Sequence, residues 1–285
     1  MRYMEPKHFW VVGGDDRQVV LAGLLADDGH RVSVYGLERE MCCQPSLDGI
    51  GDADCVILPL PAMDGDGWVN TPLSRRKLAM GEVLLRLRPG QVVLAGRVTP
   101  WMESVAGEHG LSLTDYFARE ELALLNAIPT AEGAIRVAME ALPITLHGAR
   151  VLILGFGRLG QALGPRLRGL GAQVWAAARR GEQRAMAELM ELHCESMTDM
   201  KEWLHTYDLV INTVPAQVLG VEELAALKEG TPVIDLASLP GGVDDESAAA
   251  LGVPVIHALA LPGREAPLSA GRYLRDTVYH LLLGV

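Results

Sequence analysis

Three glycines spaced as G-x-G-x-x-G, namely Gly155, Gly157 and Gly160, stand directly after the apolar run VLIL and before a helical pattern. A dinucleotide pyrophosphate needs that spacing. The first glycine permits a tight turn, the second lets backbone approach the phosphates, and the third lets helix and strand pack closely. Amides exposed at the helix start then favour the anion. Phe156, Arg158 and Leu159 lie in the same turn and are assigned to the cofactor site with the glycines. A second strand pattern ends near residue 178, where this kind of unit meets the adenosine ribose. A chain that selects NAD usually places Asp or Glu there. This one has Ala178, Arg179 and Arg180. Guanidinium groups suit a 2′-phosphate, so NADP(H) is expected over NAD(H), with Arg179 as main contact and Arg180 as a lesser one. The competing reading is a solvated basic loop.

An earlier turn, GGDDRQ at residues 13–18, also joins a strand pattern to a helical one. It lacks the third glycine, and the strand pattern after it ends in SVYGLE with no clear ribose-binding residue. A second dinucleotide is therefore not expected. Gly13 and Gly14 are expected to bring backbone amides, with Arg17, to an interdomain cleft. Asp15 or Asp16 as a helix N-cap is the structural alternative, and both readings can hold together.

In open α/β sheets, ligands bind beyond the carboxyl ends of the strands. Those ends read NTVP (Asn212, Thr213, Val214, Pro215), DLASLPGG (with Leu236, Ala237 and Ser238) and HALALPG. Asn212, Thr213 and Ser238 are small polar groups that could face a nicotinamide or merely serve their turns. Asp235 is expected to tie down a turn, and His257 is read as structural before it is read as a proton acceptor. A D-2-hydroxyacid dehydrogenase would bring an arginine, a glutamate and a histidine to this place. Leu239 stands where the arginine is sought, which counts against hydroxyacid–ketoacid chemistry.

Elements must hold these residues in place. Apolar strand patterns fall at 8–12, 31–35, 54–60, 91–95, 150–154, 172–177, 207–213, 231–236 and 253–257, alternating with helical patterns. Such alternation implies parallel sheets covered on both faces. The fold class expected is α/β, with two doubly wound parallel-sheet domains: a flavodoxin-like N-terminal one and a Rossmann-type NAD(P) domain. The seam is NAIPTAEGAIRVAMEALPITLHG at 126–148, where Ala131, Ala134, Ile135, Ala138, Met139 and Leu142 form one helical stripe. Pro129 suits the first turn of that helix and Pro143 ends it. The expected domains are 1–125, joined by a C-terminal helix at 266–285, and 126–265. Gly164 and Pro165 fall inside the helix after the fingerprint, which must either kink or end there.

The chain has 285 residues, a formal net charge of −11, 49% hydrophobic and 5% aromatic residues. Its core is aliphatic, and with no basic patch nucleic acid is not expected as a partner. Cys42, Cys43, Cys55 and Cys194 form no C-x-x-C pair and have no zinc-spaced histidine, so free thiols in a reducing cytoplasm and no metal are expected. The N-terminus is short and polar for a signal peptide. No apolar run reaches the roughly 18 residues of a membrane span.

Taken together, GGDDRQ, ILPLPAMDGDG, NAIPTAEGAI, LHGARVLILGFGRLG, NTVPAQVL, DLASLPGGVD and LPGREAPLSAG resemble the A-type subunit family of dipicolinate synthase, in that family's order and over nearly the whole chain. NAIPTAEGAI followed by DLASLPGG is the specific part. The resemblance implies a cytoplasmic enzyme of a spore-forming bacterium, acting late in the lysine-pathway branch. It implies oxidation of a dihydrodipicolinate-type ring to dipicolinate with a nicotinamide dinucleotide, and a second subunit resembling flavin-binding decarboxylase-like proteins. It also implies a two-domain arrangement like formate/glycerate dehydrogenases; a homo-oligomer is expected as well. Under this reading Gly14, Asp15 and Arg17, with helix-start amides at 14–17 and 129–132, would hold the two carboxylates. Asn126 and Thr130 would orient the ring, while Glu132 has a helix-face pair with Arg136 as its ordinary explanation. The chain departs from the family's basic residue at Leu239; if that position contacts a substrate carboxylate, another cation must replace it, with Arg264 or Arg97 as candidates, or the substrate differs. No general base is identified. Two alternatives stay open: an oxidoreductase of an open-chain keto or imino acid, and a non-catalytic nucleotide-binding assembly subunit.

Overall fold

In the computed structural model, residues 5–238 and 240–284 are described. They form two compact units, Met1–Asn126 with Pro262–Val285, and Ala127–Leu261. The first holds strands β1 (His8–Val12), β2 (Arg31–Tyr35), β3 (Cys55–Ile57), β4 (Val92–Ala95) and β5 (Leu113–Asp115). They pair in parallel in the order β2-β1-β3-β4-β5, which is the flavodoxin-like winding. Its helices are α1 (Asp16–Asp27), α2 (Met80–Leu84), α3 (Pro100–Glu108) and the first part of α4 (Glu120–Ala141). The second unit holds β6 (Arg150–Leu154), β7 (Gln173–Ala178), β8 (His193–Ser196), β9 (Leu209–Asn212), β10 (Val233–Asp235) and β11 (Val255–His257). Between them run α5 (Arg158–Gly169), α6 (Gly181–Leu189), α7 (Val221–Ala225) and α8 (Asp245–Leu251), and α9 (Leu261–Glu265) and α10 (Pro267–Leu283) close the chain. The second sheet is also all parallel, ordered β11-β10-β9-β6-β7-β8. Counted from β6, that is the dinucleotide-binding winding, with its switch point between β6 and β9.

Alternation along each strand decides what covers it. Phe9, Val11 and Ile57 pack with Leu21 and Leu25 of α1 and with Leu274 and Val278 of α10. Trp10, Val12 and Val56 pack on the other face with Met80, Val83 and Met102. Helix α10 therefore returns to the first sheet. In the second unit, Val151, Ile153 and Ile211 pack with Ala131, Ala134 and Ala138 of α4 and Leu163 of α5. Leu152, Leu154 and Val210 face Tyr207, Leu224 and Ala248.

The structure corrects the reading of the seam. Helix α4 starts at Glu120, and Pro129 lies inside it rather than in its first turn. Buried Leu122, Ala123 and Ala127 extend the apolar stripe upstream, enough to offset an interior proline that costs about 3 kcal/mol. Amides 131 and 132 thus lie mid-helix, directed along it toward carbonyls one turn back, and are no helix start for a carboxylate. Pro165 neither starts nor stops anything: α5 runs through it to Gly169. Its neighbour Gly164 is explained by packing, because a Cβ there would meet Leu192 Cδ1 at 2.5 Å. Strands β5 and β8 carry no continuous apolar run; both are partly exposed edge strands. Among the described residues, no helix is long and apolar enough to cross a membrane.

Candidate dinucleotide and substrate site

The fingerprint turn is built on contacts that explain two of its three glycines. Gly155 has φ +85°, and a Cβ there would lie 2.7 Å from both Thr213 Oγ1 and Val214 Cγ2. Gly160 brings α5 against the turn, and its Cβ would lie 2.6 Å from the Gly155 carbonyl. Thr213 ties the end of β6 to β9, donating through Oγ1 to the Leu154 carbonyl at 2.9 Å and the Gly155 carbonyl at 3.2 Å. Phe156 is buried in the core and Leu159 packs against it. Gly157 is different. It is the N-cap of α5, with no side chain to cap the helix, and a Cβ there would meet nothing within 4 Å. Nothing in the packing of the described residues requires a glycine at that position. A pyrophosphate lying on the α5 amides would require one, so the turn fits a dinucleotide.

At the end of β7, Arg179 and Arg180 are exposed. Arg180 pairs with Glu182 at 3.0 Å, and Arg184, a residue outside the sequence reading, donates to the Ala178 carbonyl at 3.0 Å and the Arg179 carbonyl at 2.9 Å. Its signal was weak: a basic residue in the first turn of the following helix.

The ends of β9 and β10 form one buried network. Asn212 Nδ2 donates to Asp235 Oδ1 at 2.8 Å and to the Val214 carbonyl at 3.1 Å, and its Oδ1 accepts from the Val214 amide at 3.0 Å. Asp235 also accepts from the amides of Ala237 at 3.0 Å and Gly242 at 2.9 Å. A Cβ on Gly242 would fall 2.1 Å from Asn212 Nδ2, so PGG at 240–242 closes over Asn212. These groups shape the loops carrying Thr213, Val214, Pro215, Leu236, Ala237 and Ser238 and do not themselves face outward. Leu239, the departure from the family pattern, lies outside the described residues. His257 Nε2 donates to Asp245 Oδ1 at 2.8 Å, tying β11 to α8.

GGDDRQ sits in the first unit, and its amides are not the free row that the sequence implied. The Gly13 amide donates to the Tyr35 carbonyl at 2.7 Å and the Gly14 amide to the Asn70 carbonyl at 2.8 Å. Asp15 is the N-cap of α1 in a capping box with Gln18. Its amide is bonded to Gln18 Oε1 at 3.1 Å, and the Arg17 amide to Asp15 Oδ1 at 3.0 Å. The Arg17 side chain, 5% exposed, donates through Nε to Asp15 Oδ1 at 2.9 Å, through Nη2 to Asp15 Oδ2 at 2.8 Å, and to the Leu60 carbonyl. Asn126 and Thr130 stand one turn apart on α4, both half-buried. Arg136 pairs with Glu140, and Glu132 lies 3.9 Å from Arg166. Arg97 and Arg264 are both exposed. Among the described residues, no cluster of His, Cys, Asp and Glu could hold a metal.

Comparison with known proteins follows this division. A family model for the N-terminal domain of the A-type dipicolinate synthase subunit matches residues 8–117. One described as "D-isomer specific 2-hydroxyacid dehydrogenase, NAD binding domain" matches residues 125–251. The A-type dipicolinate synthase subunit of Bacillus subtilis (strain 168) is 31% identical over 280 residues, covering 95% of this chain and 94% of that protein. The chain belongs to the A-type subunit family of dipicolinate synthase. Its fold superposes on the crystal structure of the corresponding subunit from Bacillus halodurans with a TM-score of 0.87 at 31% identity, over 97% of each chain. A D-lactate dehydrogenase from Treponema pallidum shares the fold alone, with a TM-score of 0.64 at 15% identity over 97% of each chain. The family membership, the nicotinamide-dinucleotide domain and the two parallel-sheet domains implied by the sequence motifs are thereby established.

Proposed function

We propose that the chain oxidises a dihydrodipicolinate-type ring to dipicolinate, with hydride transfer to NADP. The observation that carries this is the 31% identity to the Bacillus subtilis dipicolinate synthase subunit over nearly the full length of both chains. When bound, the dinucleotide supplies the hydride acceptor. A hydride leaves one ring carbon, a proton leaves the neighbouring ring atom to water, and the ring gains aromaticity, so the chain needs no strong base. Its task is orientation of a flat dianion.

Gly155, Gly157 and Gly160, with Phe156, Arg158 and Leu159, form the pyrophosphate turn. Arg179 meets the 2′-phosphate, with Arg180 second. Thr213, Val214, Pro215, Leu236, Ala237 and Ser238 line the nicotinamide side. For the substrate, Asn126 and Thr130 present polar groups from one face of α4, and Arg264 offers an exposed cation. Gly14, Asp15 and Arg17 belong to this site on one condition: Arg17 reaches a substrate carboxylate by exchanging Asp15 for it. A second subunit, resembling flavin-binding decarboxylase-like proteins, works with this one, and the chain assembles as a homo-oligomer in the cytoplasm of a spore-forming bacterium, late in the lysine-pathway branch.

A charge-assisted contact from Arg179 contributes about 1.5–3 kcal/mol, tenfold or more in affinity at about 1.4 kcal/mol per decade, with solvent and salt favouring the lower end. The test compares oxidation of dihydrodipicolinate by NADP and by NAD with reduction of 2-keto acids by NADPH and by NADH, in the parent and in Arg179→Ala, with the dissociation constants of NADP and NAD measured alongside. Turnover of dihydrodipicolinate with an NADP preference lost in the variant is expected. Turnover of 2-keto acids alone would contradict the substrate, and equal affinities in the parent would contradict the cofactor.

A further inference from the structure

We propose that Arg184 is a positioning residue for cofactor choice: it holds the loop after β7 in the shape that leaves Arg179 as the cation for the 2′-phosphate. The inference rests on the NADP reading above and adds a residue to it.

Three arginines lie within six residues, and the structure gives each a different partner. Arg180 is paired with Glu182 at 3.0 Å, at 68% and 72% exposure, so its charge is already balanced, though by a weak surface pair. Arg184 turns back over the loop and donates through one nitrogen to two successive carbonyls, Ala178 at 3.0 Å and Arg179 at 2.9 Å. Arg179 is exposed and makes no ion pair with any described residue.

Those two carbonyls stand at the end of the second strand of the dinucleotide unit, where the ribose is recognised. Arg184 engages both oxygens and so fixes the backbone on which Arg179 is mounted. Selectivity then comes from Arg179 directly and from Arg184 through it. Glu182 works the other way by holding Arg180.

The experiment measures dissociation constants of NADP and NAD by calorimetry for the parent, Arg179→Ala, Arg184→Ala, Arg184→Gln and the Arg179→Ala/Arg184→Ala double variant, with thermal midpoints as a folding control. Arg184→Ala is expected to weaken NADP about five- to tenfold and NAD less than twofold. Arg184→Gln, which keeps a donor for the carbonyls, is expected to fall between parent and Arg184→Ala. In the Arg179→Ala background, loss of Arg184 should leave the NADP/NAD ratio unchanged, because the two act as one unit. A parent that prefers NADP through Arg179, with a ratio untouched by Arg184→Ala, overturns the inference alone. So does an additive loss in the double variant, which would make Arg184 an independent contact. A parent without NADP preference overturns the cofactor reading and this inference with it.

Discussion

Asn212 donates a hydrogen bond to Asp235 across neighbouring strands at 2.8 Å, and both side chains are fully buried. The carboxylate also accepts two backbone amides, so it is a hub on which the β9 and β10 loops are shaped. Asp235→Ala would strand three buried donors, each worth about 1–3 kcal/mol when unsatisfied, and is expected to lower unfolding stability by about 3 kcal/mol. Denaturant midpoints in a double-mutant cycle with Asn212→Ala would read a coupling of about 0.5–3 kcal/mol. Additive losses would contradict the hub.

Gly155 and Gly157 should fail in different ways. Gly155→Ala forces a Cβ onto Thr213 and Val214 at a positive φ and is expected to cost about 1–3 kcal/mol of stability. Gly157→Ala meets no protein atom and is expected to cost under about 1 kcal/mol, from the poorer N-cap, while weakening both dinucleotides tenfold or more. Thermal melts and calorimetric titrations separate the two. Unimpaired binding by Gly157→Ala would remove the pyrophosphate from that turn.

Strand β1, HFWVV, is a continuous apolar run and reads directly from the sequence; LTD and HCES are edge strands with no run to read. Pro129 misled because a local rule was outweighed by burial of Leu122, Ala123 and Ala127 upstream. The glycine spacing of the fingerprint is legible because the demand is local. The engagement of the Gly14 amide by Asn70 is not, since it comes from a distant loop. Arg184 escaped for a related reason: its two carbonyl contacts depend on how α6 leaves the sheet.

One dinucleotide is expected per chain. The amides of Gly13 and Gly14 are engaged within the first unit and Arg17 is bound to Asp15, so the GGDDRQ turn offers no second pyrophosphate site. Calorimetric stoichiometry at saturation checks this, and two equivalents would contradict it.

Stability should fall in mild acid. His30 is buried, and its Nδ1 accepts from the Lys7 amide at 3.2 Å. Burial, then Lys7, lowers its pKa below 6.5, with Asp28 opposing; burial lowers His8 likewise. The folded chain favours neutral rings, so their contribution is whole above the unfolded value. It is lost as pH falls from there through the lowered folded value, because the unfolded chain takes up the protons first. Denaturant midpoints should drop as pH falls below about 6.5, and His30→Gln should flatten the slope. A midpoint indifferent to pH across that window would contradict the assignment.

The central claim is the oxidation itself. The direct measurement supplies the chain, with its partner subunit present, with dihydrodipicolinate and NADP, and quantifies reduced nicotinamide by absorbance and dipicolinate by mass spectrometry in the same samples. The expected result is equimolar formation of the two, with the rate sharply reduced in Gly157→Ala at cofactor concentrations near the parent's dissociation constant. Dipicolinate formed without matching NADPH, or no turnover with cofactor demonstrably bound, would contradict it.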